Sequence, residues 1–244
     1  MKKFCILFLF TCVSCISSPT AQDIVDAAIK ASGAKKLKNA TASFTFRGTD
    51  YAYQFRNGSY RYIRTQIDSL GNEIQDVLVN TSLSRFVNGN LVQLDQEKET
   101  AYRASVNSVI YFAFLPLWLN DAAVNKAYID QVDIKGKTYY KVKVTFDADG
   151  GGEDYEDIFY YWFDTEDYSM DYLAYSYNED DGKGIRFREA YHTRKIKGVI
   201  IQDYLNYKPV DENKFSLEII DQAFIANELE LLSVIELENV KVNI

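Results

Sequence analysis

The sequence is poor in cysteine, proline and histidine, with three, three and one of them in 244 residues. Cys5, Cys12 and Cys15 all fall in the leading segment, so the body of the chain has no disulfide framework, no thiolate metal site and no cysteine nucleophile. The single His192 excludes a histidine-rich metal centre, and a zinc site would have to be assembled from carboxylates. No nucleotide loop of the G-x-G-x-x-G or Walker type occurs, because Gly150, Gly151 and Gly152 lack a following helix. Neither a metal nor a cofactor is expected. With only Pro19, Pro116 and Pro209, and no long Ser/Gly tract, no linker divides the chain. Positive charge is scarce as well. Setting aside Lys2 and Lys3, 25 of the 27 basic residues stand against 35 acidic ones, a net charge of about −10. This repels nucleic acid and anionic membrane surfaces at long range, so no nucleic-acid partner is expected.

Long apolar runs are missing except at the start, "MKKFCILFLFTCVSCISSPTAQD". There Lys2 and Lys3 precede an apolar segment, Phe4 to Ile16, of roughly 13 residues, short of the ~20 that span a bilayer and of the form of a secretory signal. "CVSC" closes this segment, and the polar tether "ISSPTAQ" follows it. Together they resemble a bacterial lipobox with Cys15 as the acylated residue; Ser14 is the expected small neighbour, while Cys12 stands where leucine is usual. The alternative is ordinary cleavage nearby with Cys15 discarded or left free. The reading taken is a signal with lipobox and tether over residues 1–21 and one β-rich envelope domain over 22–244, tied to the membrane by an N-terminal lipid anchor after export to the periplasm or outer membrane.

What the chain has in abundance is aromatic strand sequence. One amphipathic helix is expected first, with Ile24, Ala27, Ala28 and Ala31 at helical spacing and Gly33 as its stop. Strands follow around "NG" at Asn57–Gly58 and at Asn88–Gly89, which points to an antiparallel meander. A second helix runs through Tyr102, Val106, Val109, Ile110 and Ala113 and ends near Pro116, inside an apolar stretch from Val109 to Leu119 suited to cover a sheet. Strands then resume, with a helix expected over Phe215 to Leu232 and a last strand, "SVIELENVKVNI". In "IFYYWF", Ile158/Tyr160/Trp162 and Phe159/Tyr161/Phe163 are both apolar or aromatic sets, so both faces of that strand must be covered. One face can meet the helices; the other needs a second sheet, a partner or an apolar ligand.

Three polar stretches are candidate sites. "FDADGGGEDYED" has the carboxylates of a calcium loop, Asp147, Asp149, Glu153, Asp154, Glu156 and Asp157, but counting from Asp147 the twelfth place, where an EF-hand needs glutamate, is Ile158. The flanks are strands, so a glycine-rich turn between two strands is the reading taken. In "GIRFREAYHTRK" a regular strand would put Arg186, Arg188, His192 and Arg194 on one face, a candidate anion site for a phosphate, carboxylate or lipid headgroup; a solvated face, or pairing with Asp171 or Glu189, is the competing reading. Asp171 on "YSMDYLAYSY" is a candidate acid, with a paired structural role as its alternative.

The phrases "ASVNSVIYFAFLPLWLNDAAVNKAYI", "GKTYYKVKVTFDADGGGEDYEDIFYYWFDTEDYSMDYLAYSY", "GIRFREAY" and "LSVIELENV" resemble an uncharacterised family of Bacteroidota envelope proteins, domain of unknown function 6503. That family is similar in layout to the LolA/LppX-like carriers. The resemblance implies an α+β, β-dominated fold: a strongly curved antiparallel sheet, a half-barrel, with a few helices packed on its concave side. It further implies a lid helix bearing Tyr111, Phe112 and Phe114, and a cavity lined by strands bearing Tyr160, Trp162 and Tyr172, with Arg186, Arg188 and His192 at the headgroup. The expected ligand is a lipid, an acyl chain or a lipidated protein, bound without chemistry. Two other functions stay open. An envelope hydrolase of glycans or esters would gather Asp171, Glu189 and His192, and a structural or partner-binding module would expose an aromatic face.

Overall fold

The structure, a computed structural model, describes residues 18–152, 155–179, 182–211 and 214–244. The leading segment with Cys5, Cys12 and Cys15, and the carboxylates Glu153 and Asp154, lie outside these residues. In chain order come helix α1 (Ala21–Ala31), strands β1 (Thr41–Phe46), β2 (Thr49–Arg56), β3 (Ser59–Ile67), β4 (Glu73–Val79), β5 (Ser82–Val87) and β6 (Asn90–Val92), and helix α2 (Gln96–Ala113). Then follow β7 (Val124–Ile134), β8 (Lys137–Phe146), β9 (Phe159–Asp164), β10 (Met170–Glu179), β11 (Gly182–Ile196), β12 (Val199–Pro209), helix α3 (Ile220–Ile225), β13 (Leu229–Ile235) and β14 (Glu238–Asn243). The strands form two seven-stranded antiparallel sheets, β14-β1-β2-β3-β4-β5-β6 and β13-β12-β11-β10-β9-β8-β7, and neither closes into a barrel. The expected β-dominated class with few helices holds. The strands are divided between two sheets, with α2 on the inner face of the first.

Local chemistry sets the elements. α1 opens on a capping box: Thr20 Oγ1 accepts from the Asp23 amide at 3.1 Å, and the Thr20 amide donates to Asp23 Oδ2 at 3.0 Å. It stops where Gly33 takes φ 68°, the left-handed turn that ends a helix cheaply at glycine. Asn57 and Gly58, at φ 53° and 78°, make the two-residue turn between β2 and β3 that matches strand twist. α2 is fixed to the first sheet by charge as well as by Val106 and Ile110. Arg64 and Arg85 both bond the buried Asp76, Arg64 Nη1 donates to Ser105 Oγ at 2.8 Å, and the Arg85 guanidinium lies 3.4 Å from the Tyr102 ring centre. Past Ala113 the helix gives way to a 3₁₀ turn, Leu117–Asn120, with Leu117, Trp118 and Leu119 buried.

β9 is buried at every residue. Phe159, Tyr161 and Phe163 pack with α1 and with Leu115 and Leu119, whereas Tyr160 and Trp162 pack with Ile220 and Ala223 of α3. The second face is thus met by a helix. The expected long helix over 215–232 is corrected: only Ile220–Ile225 is α-helical, after a 3₁₀ turn at Leu217–Ile219, and Leu229–Ile235 is a strand. Asn227, at φ 58°, ends the helix, and pairing of Leu229–Ile235 with β12 outweighs helix propensity there. The expected last strand is two strands, β13 and β14, one in each sheet.

Candidate functional site

Alternation around the Asn57–Gly58 turn puts Tyr51, Tyr53 and Phe55 of β2 and Tyr60 and Tyr62 of β3 on the inner face of the first sheet, with Tyr53 opposite Tyr62 and Phe55 opposite Tyr60. Tyr60 stacks on Tyr62 at 4.6 Å, Tyr62 on Tyr53 at 5.6 Å, and Trp118 lies 6.2 Å from Tyr53 and 6.3 Å from Phe55. Phe55, Tyr60, Tyr62 and Trp118 form one wall of a cleft of about 660 Å³, within the usual range of ligand pockets, with Tyr53 buried behind them. α2 supplies Arg103, Ala104, Asn107 and Tyr111, and the segment after α2 supplies Trp118, Asp121, Ala123 and Val124. The glycine-rich loop, Phe146 to Gly152, closes the remaining side.

The loop's part follows from its geometry. β8 and β9 pair directly, Val144 opposite Phe159, so residues 147–158 connect two neighbouring antiparallel strands, as the turn reading expects. The Asp147 amide donates to Ala123 O at 2.9 Å and Asn125 Nδ2 to Asp147 Oδ1 at 2.7 Å, which hold the loop to β7. A Cβ at Gly151 would stand 2.2 Å from Asp147 O, so only glycine fits. Among the described residues no group of three or more His, Cys, Asp or Glu side chains could hold a metal.

Electrostatics in the cleft are mild. Burial raises the pKa of the Tyr60, Tyr62 and Tyr111 hydroxyls, so these walls present neutral phenols. Asp121 is open to the cleft yet loses enough hydration there that its pKa is raised, against the pull of Lys38 and Lys126. The Trp118 indole N–H is buried and has no acceptor among the described residues. Such a group costs free energy unless something bonds it.

The structure separates the expected site residues. Tyr111 lines the cleft, its hydroxyl 3.3 Å from that of Tyr161. Phe114 is core, 4.9 Å from Tyr53 and 5.9 Å from Phe44 by ring centres. Phe112 and Arg188 line a smaller cavity elsewhere along α2. Tyr160, Trp162 and Tyr172 lie on the α3 face of the second sheet, where Trp162 Nε1 donates to Asp221 at 3.2 Å, and they do not line the cleft. The arginine strand is not regular. A bulge between Tyr191 and Arg194, with His192 at φ 48°, turns His192 and Arg194 onto Asp203, each at 2.8 Å, while Arg186 bonds the Tyr177 hydroxyl. Asp171, Glu189 and His192 do not come together either: they bond Tyr139, Lys135 and Asp203 respectively. The reading of the sequence missed Trp118, Tyr60 and Tyr62, although the period-two aromatics beside "NG" carried the signal for the last two.

The model of a family of unknown function, DUF6503, matches residues 2–239. The chain belongs to the DUF6503 family. No curated protein matches this DUF6503 chain in sequence. Among solved structures it is similar to a LolA superfamily protein from Nitrosomonas europaea, at TM-score 0.46 and 10% identity over 92% of this chain and 94% of the other. A DUF1329 family protein from Desulfovibrio piger gives 0.43 and 9% over 92% and 93%. The lipoprotein LppX of Mycobacterium tuberculosis gives 0.26 and 14% over 65% and 90%. Likeness at this level carries nothing about function. No helix among the described residues is long and apolar enough to cross a membrane.

Proposed function

We propose that this DUF6503 protein is a non-catalytic envelope lipoprotein that holds an acyl chain, a lipid or a lipidated partner in the cleft. The observation that carries this is an open wall of aromatic rings, Phe55, Tyr60, Tyr62 and Trp118, with Tyr60 stacked on Tyr62. An apolar chain would cover the rings, at about 25 cal/mol per Å² taken from water. Cys15, outside the described residues, would tether residues 22–244 to an envelope membrane of a Bacteroidota cell, making the protein a stationary binder or receptor.

Native mass spectrometry with lipid extraction, on protein purified from its own membrane, tests this. The expected result is a co-purifying lipid together with a diacylglyceryl increment on the N-terminal peptide. A ligand-free, unmodified chain overturns it. One observation favours a partner-binding module in that case: edge strand β13 exposes Leu231, Leu232 and Val234.

A further inference from the structure

Seven charged side chains are buried among the described residues: Arg64, Asp76, Lys141, Asp164, Arg188, Asp203 and Asp221. Six of them have an ion partner, through Arg64–Asp76, Lys141–Asp221, Lys137–Asp164 and Arg194–Asp203. Arg188 has none. It is 8% exposed, and its one hydrogen bond runs from Nη2 to the Tyr175 hydroxyl at 2.8 Å. A guanidinium carries five N–H donors, so four have no acceptor among the described residues, and Nε is fully buried. Its plane is held by rings, with the guanidinium carbon 4.0 Å from the centre of Phe112 and 5.1 Å from that of Tyr175. Burying a charge without a counter-ion is strongly unfavourable, so a folded protein keeps such a group where an anion meets it.

The guanidinium lines a cavity of about 100 Å³ between β1, α2 and strands β11 to β13, with Phe46, Val109, Ile235 and Leu237 among its walls. It is separate from the cleft: the cleft takes Arg103, Asn107 and Tyr111 of α2 and this cavity takes Ser108, Val109 and Phe112, which at about 100° per residue lie on opposite flanks of the helix. We infer that this cavity binds a monocarboxylate, its carboxylate on the Arg188 guanidinium and its alkyl chain among the apolar walls. The planar fork suits a carboxylate, and the apolar walls suit carbon. An engineered cavity of ~150 Å³ holds benzene, so the part of the ligand inside is of about that size or smaller. It is either a small free acid or the carboxyl end of a longer chain that reaches in. This inference stands apart from the occupancy of the cleft and does not fail with it.

Calorimetric titration of the full chain at neutral pH with hexanoate, hexan-1-ol and palmitate, repeated on Arg188→Met, tests it. Hexanoate is expected to bind at least tenfold more tightly than hexan-1-ol, and the advantage is expected to vanish in Arg188→Met, which keeps the side-chain length and removes the unpaired charge. Arg188-dependent binding of palmitate without hexanoate supports the carboxylate site and assigns it to the end of a long chain. Equal affinity for acid and alcohol, binding of neither acid, or hexanoate affinity unchanged by the substitution overturns the inference. The comparison of acid with alcohol on the wild-type protein needs no variant, so a failure of Arg188→Met to fold leaves the test intact.

Discussion

In the first sheet, Thr45, Asp50, Thr65 and Gln75 stand in one cross-strand row on the face away from α2, Asp50 exposed and the other three half-buried. In the second sheet, the strand β9 has no such row. Its outer residues Tyr160 and Trp162 are covered by α3, and the charges that come with that cover are neutralised in place, Lys141 Nζ bonding Asp221 at 2.8 Å beneath the Trp162 ring. A one-sided sheet can leave its polar groups to solvent, whereas a two-sided sheet must find partners inside for most of them. The difference also places the site. The first sheet has inner-face rings that the helices leave partly uncovered, and the cleft forms there. The second uses most of its aromatic residues in packing, with Phe146 of β8 reaching the cleft.

The strongest way to break this comparison is Trp162→Ala. It removes a fully buried indole and one partner of Asp221, and is expected to cost about 3–5 kcal/mol in urea unfolding. A loss below ~1 kcal/mol would show that α3 does not seal the second sheet. The matched change on the wet face, Thr65→Val, keeps a β-branched side chain in the same strand environment and is expected to shift stability by no more than about 0.5 kcal/mol in the same assay. A loss of several kcal/mol there would mean that this face is covered by something and that the contrast between the sheets is false.

How far the sequence disclosed this arrangement depends on how local the determinants are. The capping box of α1, the Asn57–Gly58 turn and the doubly apolar "IFYYWF" are set by neighbours in the chain, and each reads directly from its residues. β13 does not. "ELELLSVI" suits either periodicity, and only pairing with β12, which is distant in sequence, decides it. The candidate site was legible in part for the same reason. The alternating tyrosines of β2 and β3 are visible in the sequence, but that they face Trp118 and the glycine loop across α2 is a matter of long-range packing. The alternation of the arginine strand does not gather its cations: a bulge at His192 turns His192 and Arg194 onto Asp203, Arg186 bonds Tyr177, and Arg188 stands in a separate cavity.

The central claim, that an acyl chain occupies the cleft, has a direct optical test, because the chain has two tryptophans and the structure puts Trp118 on the cleft wall and Trp162 behind the second sheet. Tryptophan emission would be followed as a bromine-labelled phospholipid is added to the wild-type protein and to Trp118→Phe. Saturable quenching is expected in the wild type and almost none in Trp118→Phe, where only Trp162 remains. Equal quenching of the two proteins, or none in either, would contradict it.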